Sequence, residues 1–126
     1  MYWENTHSVV IWSTTRSSVL RAIVQDGEYS DSMEVTILHE ATNPVDPDSV
    51  AIFTTLPHSL VGGIKHGCGS IIGYVRRSDP RRNELLEKLQ KVGPLYGALR
   101  WESSEDDYHL DVCRHPEDRD PDELPF

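Results

Sequence analysis

Asp46 stands between Pro44 and Pro47, and further along the chain Arg76, Arg77, Arg81 and Arg82 place four arginines within seven positions. Each proline fixes its own φ and pushes the residue before it into an extended shape, so the carboxylate sits in a stiff turn. It can accept a hydrogen bond from a ligand hydroxyl, such as that of a nucleic-acid end, or serve its own loop as an Asx-turn. The arginines offer planar forks that match phosphate oxygens, and a helix N-terminus beside them adds N–H donors and partial positive charge. Cations in a first helical turn oppose the helix dipole, so the cluster reads as a phosphate clamp or as a solvated face paired with acids elsewhere. Tyr74 and Trp101 are candidates for stacking a base. Aromatics on strands equally serve the core, and Trp101, ending a strand beside Glu102, is placed there.

Two other chemistries have candidate residues. His66 with Cys68, and Cys113 with His115, are pairs two residues apart that would share a strand face and could supply a Cys₂His₂ zinc set. Structural zinc sites favour longer spacings, and the fold would have to bring the two pairs together. Glu40, Asp46 and Asp48 could hold the divalent metal of a nuclease, but Gly63 stands before Lys65 where such a site needs an acid. No nucleophile elbow, no phosphate-cradling glycine loop with lysine and no catalytic triad is present. A binding module without cofactor or catalysis is the expectation.

The elements that must position these residues follow from pattern. Residues 8–13, Val19–Gln25, Met33–His39, Ser49–Thr55 and Ser70–Arg76 are apolar, β-branched-rich runs that read as strands. Val19–Gln25 and Met33–His39 are expected to pair as a hairpin with a long loop. On the third strand of this group, Ala51 and Phe53 fall on one side and Val50 and Ile52 on the other. Residues 56–69, rich in glycine, read as a loop insertion. A helix is predicted over about residues 80–92, capped by Asp79, with Pro80 in its first turn and a stripe of Leu85, Leu86, Leu89 and Val92. Gly93 and Pro94 stop it. Residues 95–101 and 107–113 form a closing hairpin. Short strands with one helix inserted before the last pair predict a mainly β fold, a small, strongly curved antiparallel barrel.

Length allows one domain over residues 1–115. The charged and proline-rich residues 116–126 are expected to be a disordered tail. No apolar run approaches a membrane span, the N-terminus is too polar for a signal peptide, and the two cysteines fit a reducing compartment, so the expected location is the cytoplasm. The net charge of −9 argues against nucleic acid, but ten acidic residues lie from Glu102 onward against two arginines. That segment carries −8 and the remainder −1.

Leu38-x-Glu40, Asn43-Pro44-x-Asp46, Val50-Ala51-Ile52 and Ile72-Gly73-Tyr74-Val75-Arg76-Arg77, followed by a helix, together resemble the HIRAN domain family over roughly residues 19–101. The resemblance implies an OB-like barrel, found joined to remodelling ATPases or as stand-alone bacterial or phage proteins. Its best-understood members grip the 3′-hydroxyl end of single-stranded DNA. By position, Asp46 would hold the terminal hydroxyl, and Tyr74 and Arg77 would line the same groove. Val45 stands where those members have a stacking tyrosine, Val19–Gln25 lacks the aromatic they carry, and Asp48 replaces the second asparagine of the motif. The expected partner is single-stranded nucleic acid, bound by Val45, Asp46, Tyr74, Arg76, Arg77, Arg81 and Arg82. The alternative is a protein-interaction module whose basic strip meets the acidic tail or an acidic partner.

Overall fold

The computed structural model describes residues 3–12, 14–26 and 32–113. Seven strands and three short helices occur among them, in the order β1 (Trp3–Ile11), α1 (Ser17–Gln25), β2 (Ser32–His39), β3 (Val50–Thr54), α2 (His58–Val61), β4 (Ile64–His66), β5 (Gly69–Val75), α3 (Arg82–Val92), β6 (Leu95–Glu102) and β7 (Asp107–Cys113). Every pairing is antiparallel. The sheet runs β1-β7-β6-β2-β3-β5 and closes where β5 returns to β1, giving a six-stranded barrel with β4 added beside β5. Among the described residues, no helix is long and apolar enough to cross a membrane.

The predicted barrel is present, and the closing hairpin of β6 and β7 lies where its alternation placed it. β1 begins earlier than the pattern indicated, and residues 56–69 contain α2 and β4 rather than a plain loop. Val19–Gln25 is not a strand. It forms most of α1, because Leu20 and Val24, one helical turn apart, are fully buried and Ile23 packs beside them on the core. Its β-branched content favours a strand only weakly, and burial of that stripe overrides it. The expected hairpin is therefore absent, and β2 pairs with β3 and β6 instead.

The predicted helix starts at Arg82 rather than Pro80, because residues before it are held in a turn by Asp79. Leu85, Leu86 and Leu89 are buried as expected, whereas Val92 is 50% exposed. The helix ends there on Gly93 at φ 82°. Within β3, Val50 and Ile52 point into the core as the alternation requires. A bulge follows, since Ile52 faces Gly73 but Phe53 faces Ile71. The extra residue, Ile72, joins the core although Tyr74, two positions on, lies at the half-exposed outer surface.

Barrel closure rests on the short seam Val9↔Val75, Val10↔Tyr74 and Ile11↔Gly73. Gly73 permits it, because a Cβ there would lie 2.5 Å from the Val10 carbonyl oxygen and 3.1 Å from the Ile11 Cα. Both are backbone atoms that cannot rotate away. Gly73→Ala is expected to lower stability by about 1–3 kcal/mol, the usual cost of overpacking, read as a lower urea midpoint. An unchanged midpoint would show that the seam can open to admit a methyl group.

Candidate functional site

The turn carrying Asp46 is rigid through its own hydrogen bonds. The Asn43 side-chain oxygen accepts the Val45 and Asp46 N–H groups at 2.9 and 3.1 Å, while its amide donates to Glu40 at 2.6 Å. The Asp46 Oδ1 accepts the Asp48 N–H at 3.1 Å, and its carbonyl accepts both the N–H and the hydroxyl of Ser49. His39 Nε2 lies 2.8 Å from the Pro47 carbonyl. A carbonyl can only accept, so that nitrogen carries the proton. The Asx-turn expected of Asp46 is thus present.

It is not the whole role of that carboxylate. Its Oδ2 takes Arg82 Nη1 at 2.8 Å and faces Arg77 Nε at 3.2 Å. Asp46 and Arg82 are each 12% exposed, but the Arg77 side chain is 74% exposed. The hydrogen bond from Arg82 holds the Asp46 carboxyl below its ordinary value of 3.8, aided by the Asp48 N–H and the charge of Arg77, and opposed by burial.

The four arginines therefore separate. Arg82 is built into the fold, Arg77 projects into solvent while braced by Asp46, and Arg76 pairs with Asp107 at 3.5 Å. Arg81 is exposed at the N-cap position of α3. The Tyr74 hydroxyl donates to Glu40 at 3.2 Å. Burial and the adjacent negative charge push its pKa up to about 12, so it stays a neutral donor. Val45 is 83% exposed at the tip of the turn. Leu38, Glu40, Ala51 and Ile71 line a shallow cleft of about 460 Å³. Glu40, which receives the Tyr74 hydroxyl, also receives the Asn43 amide, so it links that cleft to the Asp46 turn.

Trp101 belongs to the core, edge-on to Tyr108 at 5.0 Å, with the Arg21 guanidinium 4.0 Å from its ring centre. Of the zinc candidates, Cys68 is exposed and His66 packs edge-on against Phe53. The Cys113 side chain and His115 lie outside the described residues, as does the expected tail. Among the described residues, no three or more His, Cys, Asp or Glu side chains converge as a metal site would require. Glu40 and Asp46 of the nuclease set are instead occupied by Tyr74, Asn43 and arginine.

The sequence pattern makes Asp79 the helix cap, but the N-cap position of α3 is Arg81, without a side-chain cap bond, and Asp79 acts in the turn before it. Its buried carboxylate accepts the Arg81 N–H at 2.8 Å, but also the Ser8 N–H at 2.7 Å, and lies 3.2 Å from His7 Nδ1. It thereby ties β1 to the arginine-bearing turn. The partners lie 71 and 72 residues away in sequence, so no local pattern could reveal them.

Comparison with protein-family models, curated proteins and solved structures returns no match.

Because the folded Asp46 pKa is lowered, its ionised form adds stability above the ordinary carboxylate range, and that contribution is lost as pH falls through the lowered value. Asp46→Asn should therefore melt below the parent protein at neutral pH. The two melting curves should converge in acid, below the ordinary value. A gap that persists unchanged in acid would assign the loss to shape rather than charge.

Proposed function

We propose that the chain is a HIRAN-type nucleic-acid-binding module that holds single-stranded DNA along the outer end of β5 without catalysing a reaction itself. The carrying observation is Arg77, 74% exposed and oriented by the Asp46 carboxylate at the end of the strand that also presents Tyr74. A solvated guanidinium braced by one carboxylate keeps other donors for a phosphate, with little side-chain entropy left to lose. Arg76, directly after the same strand, makes a half-exposed pair with Asp107 that salt and a phosphate can replace. The rigid 43–49 turn alongside supplies a firm wall. The 3′-terminal hydroxyl, as the resemblance implies, would lie at Asp46.

Binding of short single-stranded oligonucleotides should weaken steeply with salt. Arg76→Ala combined with Arg77→Ala should weaken it uniformly across sequences and reduce the salt slope by about 0.7 for each phosphate no longer neutralised. Oligonucleotide binding without salt dependence, or none, would favour the protein-interaction module instead.

Asp46→Ala should erase any preference for a free 3′-hydroxyl over a blocked one, while leaving Arg77 available to phosphate. If the parent protein binds both ends equally, Asp46 serves only to brace the arginines.

A further inference from the structure

The register of the barrel sets Arg76, His109 and Arg100 in one row across its outer surface. The Arg76 N–H donates to the Ser8 carbonyl, Ser8 stands opposite His109, and His109 stands opposite Arg100. Val9, Leu110 and Leu99, their neighbours along β1, β7 and β6, belong to the core, so alternation turns Ser8, His109 and Arg100 outward. Acids from the far end of the β6–β7 hairpin meet this row. Asp107 faces Arg76 at 3.5 Å, Glu105 accepts from His109 Nε2, and Glu102 accepts from Arg100 at 2.7 Å. These contacts are not equally firm. Arg100 also bonds Asp111 at 2.9 Å, and the two carboxylates raise its pKa. The Arg76 and Asp107 side chains are 41% and 46% exposed, and that of Glu105 is 58% exposed.

We propose that Arg76 and His109 form a second phosphate subsite, which a bound single strand reaches by displacing Asp107 and Glu105. The hairpin end stands in for phosphate in the free protein. This rests on the nucleic-acid reading and adds to it a contact from β7 and a built-in competitor. The chemistry matches, because carboxylate and phosphate oxygens alike accept from a guanidinium fork and an imidazole N–H. The contacts to be broken are open to water, where an ion pair is worth a factor of only about one to five. Position favours the strand already placed at Arg77, since Arg76 precedes it directly and the row leads on from there over β1. Adjacent strands lie about 4.8 Å apart, which puts the backbone of His109 about 10 Å from that of Arg76, or about three stacked nucleotides. Arg100 stays outside the subsite, because Asp111 and Glu102 both hold it.

The test is a titration of the full chain with a short oligothymidylate at low salt. Glu105→Gln combined with Asp107→Asn should bind about threefold to tenfold more tightly than the parent, as expected for the loss of two exposed competing contacts. An amide oxygen can still accept the Tyr108 N–H that the Asp107 carboxylate accepts now. Glu34→Gln combined with Glu87→Gln removes the same charge from β2 and α3 and should gain less than about twofold, because salt screens distant charges. Adding His109→Ala to the hairpin variant should cancel much of its gain. Equal tightening by both double variants would overturn the proposal alone and assign the effect to net charge. An unchanged affinity of the hairpin variant, beside a parent that binds, would also overturn it. No binding by the parent or by the hairpin variant would overturn the nucleic-acid reading and this proposal with it. Should the hairpin variant fail to fold by circular dichroism, Asp107→Asn alone decides the matter: affinity equal to that of a binding parent would show that Arg76 has no competitor to displace.

Discussion

The closure of the barrel between β1 and β5 is the constraint on which the site depends. Only three residue pairs make that seam, and β5 must also carry β3 on its other edge and β4 along its first half. A seam so short needs reinforcement, and the chain supplies it just beyond the last pair. Arg76 N–H donates to the Ser8 carbonyl, and the Asp79 carboxylate takes the Ser8 N–H and faces His7. A carboxylate removed from water is tolerable only when its lone pairs are occupied. Asp79 meets that condition by drawing donors from β1 and from Arg81. The arginine-bearing turn is consequently an extension of the barrel seam rather than a loose connection.

Asp46 sets a second division, between arginine that builds the fold and arginine that faces solvent. Its Oδ2 lies between two guanidinium groups whose surroundings differ. Arg82, at 2.8 Å and largely buried, would be left with a poorly solvated charge if the pair broke. Arg77, at 3.2 Å and largely exposed, loses little if it turns to another anion, since charge pairs in water are worth about 0–1 kcal/mol. The same carboxylate can therefore be permanent partner to one arginine and exchangeable partner to the other.

Much of this was legible in sequence wherever a local period decides the structure. The leucines at 85, 86 and 89 mark one helix face, and the β6–β7 hairpin follows from alternation around a polar turn. The stiff turn at Asp46 was legible from its prolines, but its choice of Arg82 over Arg81 depends on where α3 begins, which Asp79 helps set while Ser8 and His7 of β1 hold it in place. Val19–Gln25 misled because its residues suit a strand, while the decisive fact, burial of Leu20 and Val24 on one helical face, is tertiary. Trp12 was visible only as a strand residue. Its exposure follows from the register against β5, which pairs Val10 with Tyr74 and sets the Trp12 N–H on Ile72, partners about sixty residues away that no local pattern indicates.

The charge of the chain is a poor guide to the charge of this surface for a geometric reason. Among the described residues, Glu102, Asp106, Asp107 and Asp111 are neighbours in sequence but are distributed by the β6–β7 hairpin against separate cations. Asp107 meets Arg76, Asp106 approaches Arg21, and Glu102 and Asp111 both hold Arg100. The two bonds to Arg100 raise its pKa, so that pairing is fixed, whereas the Arg76–Asp107 and Arg21–Asp106 pairs are open to solvent. Salt at about 0.1 M screens exposed charges over roughly 10 Å, so acids bound elsewhere on the barrel contribute little to the potential felt at Arg77. What a strand of phosphates would meet there is set by Arg77, Arg76 and the shared Asp46. A basic point can thus persist on an acidic protein where Glu102, Asp106 and Asp111 are turned to Arg100 and Arg21 and Arg77 has only half of Asp46.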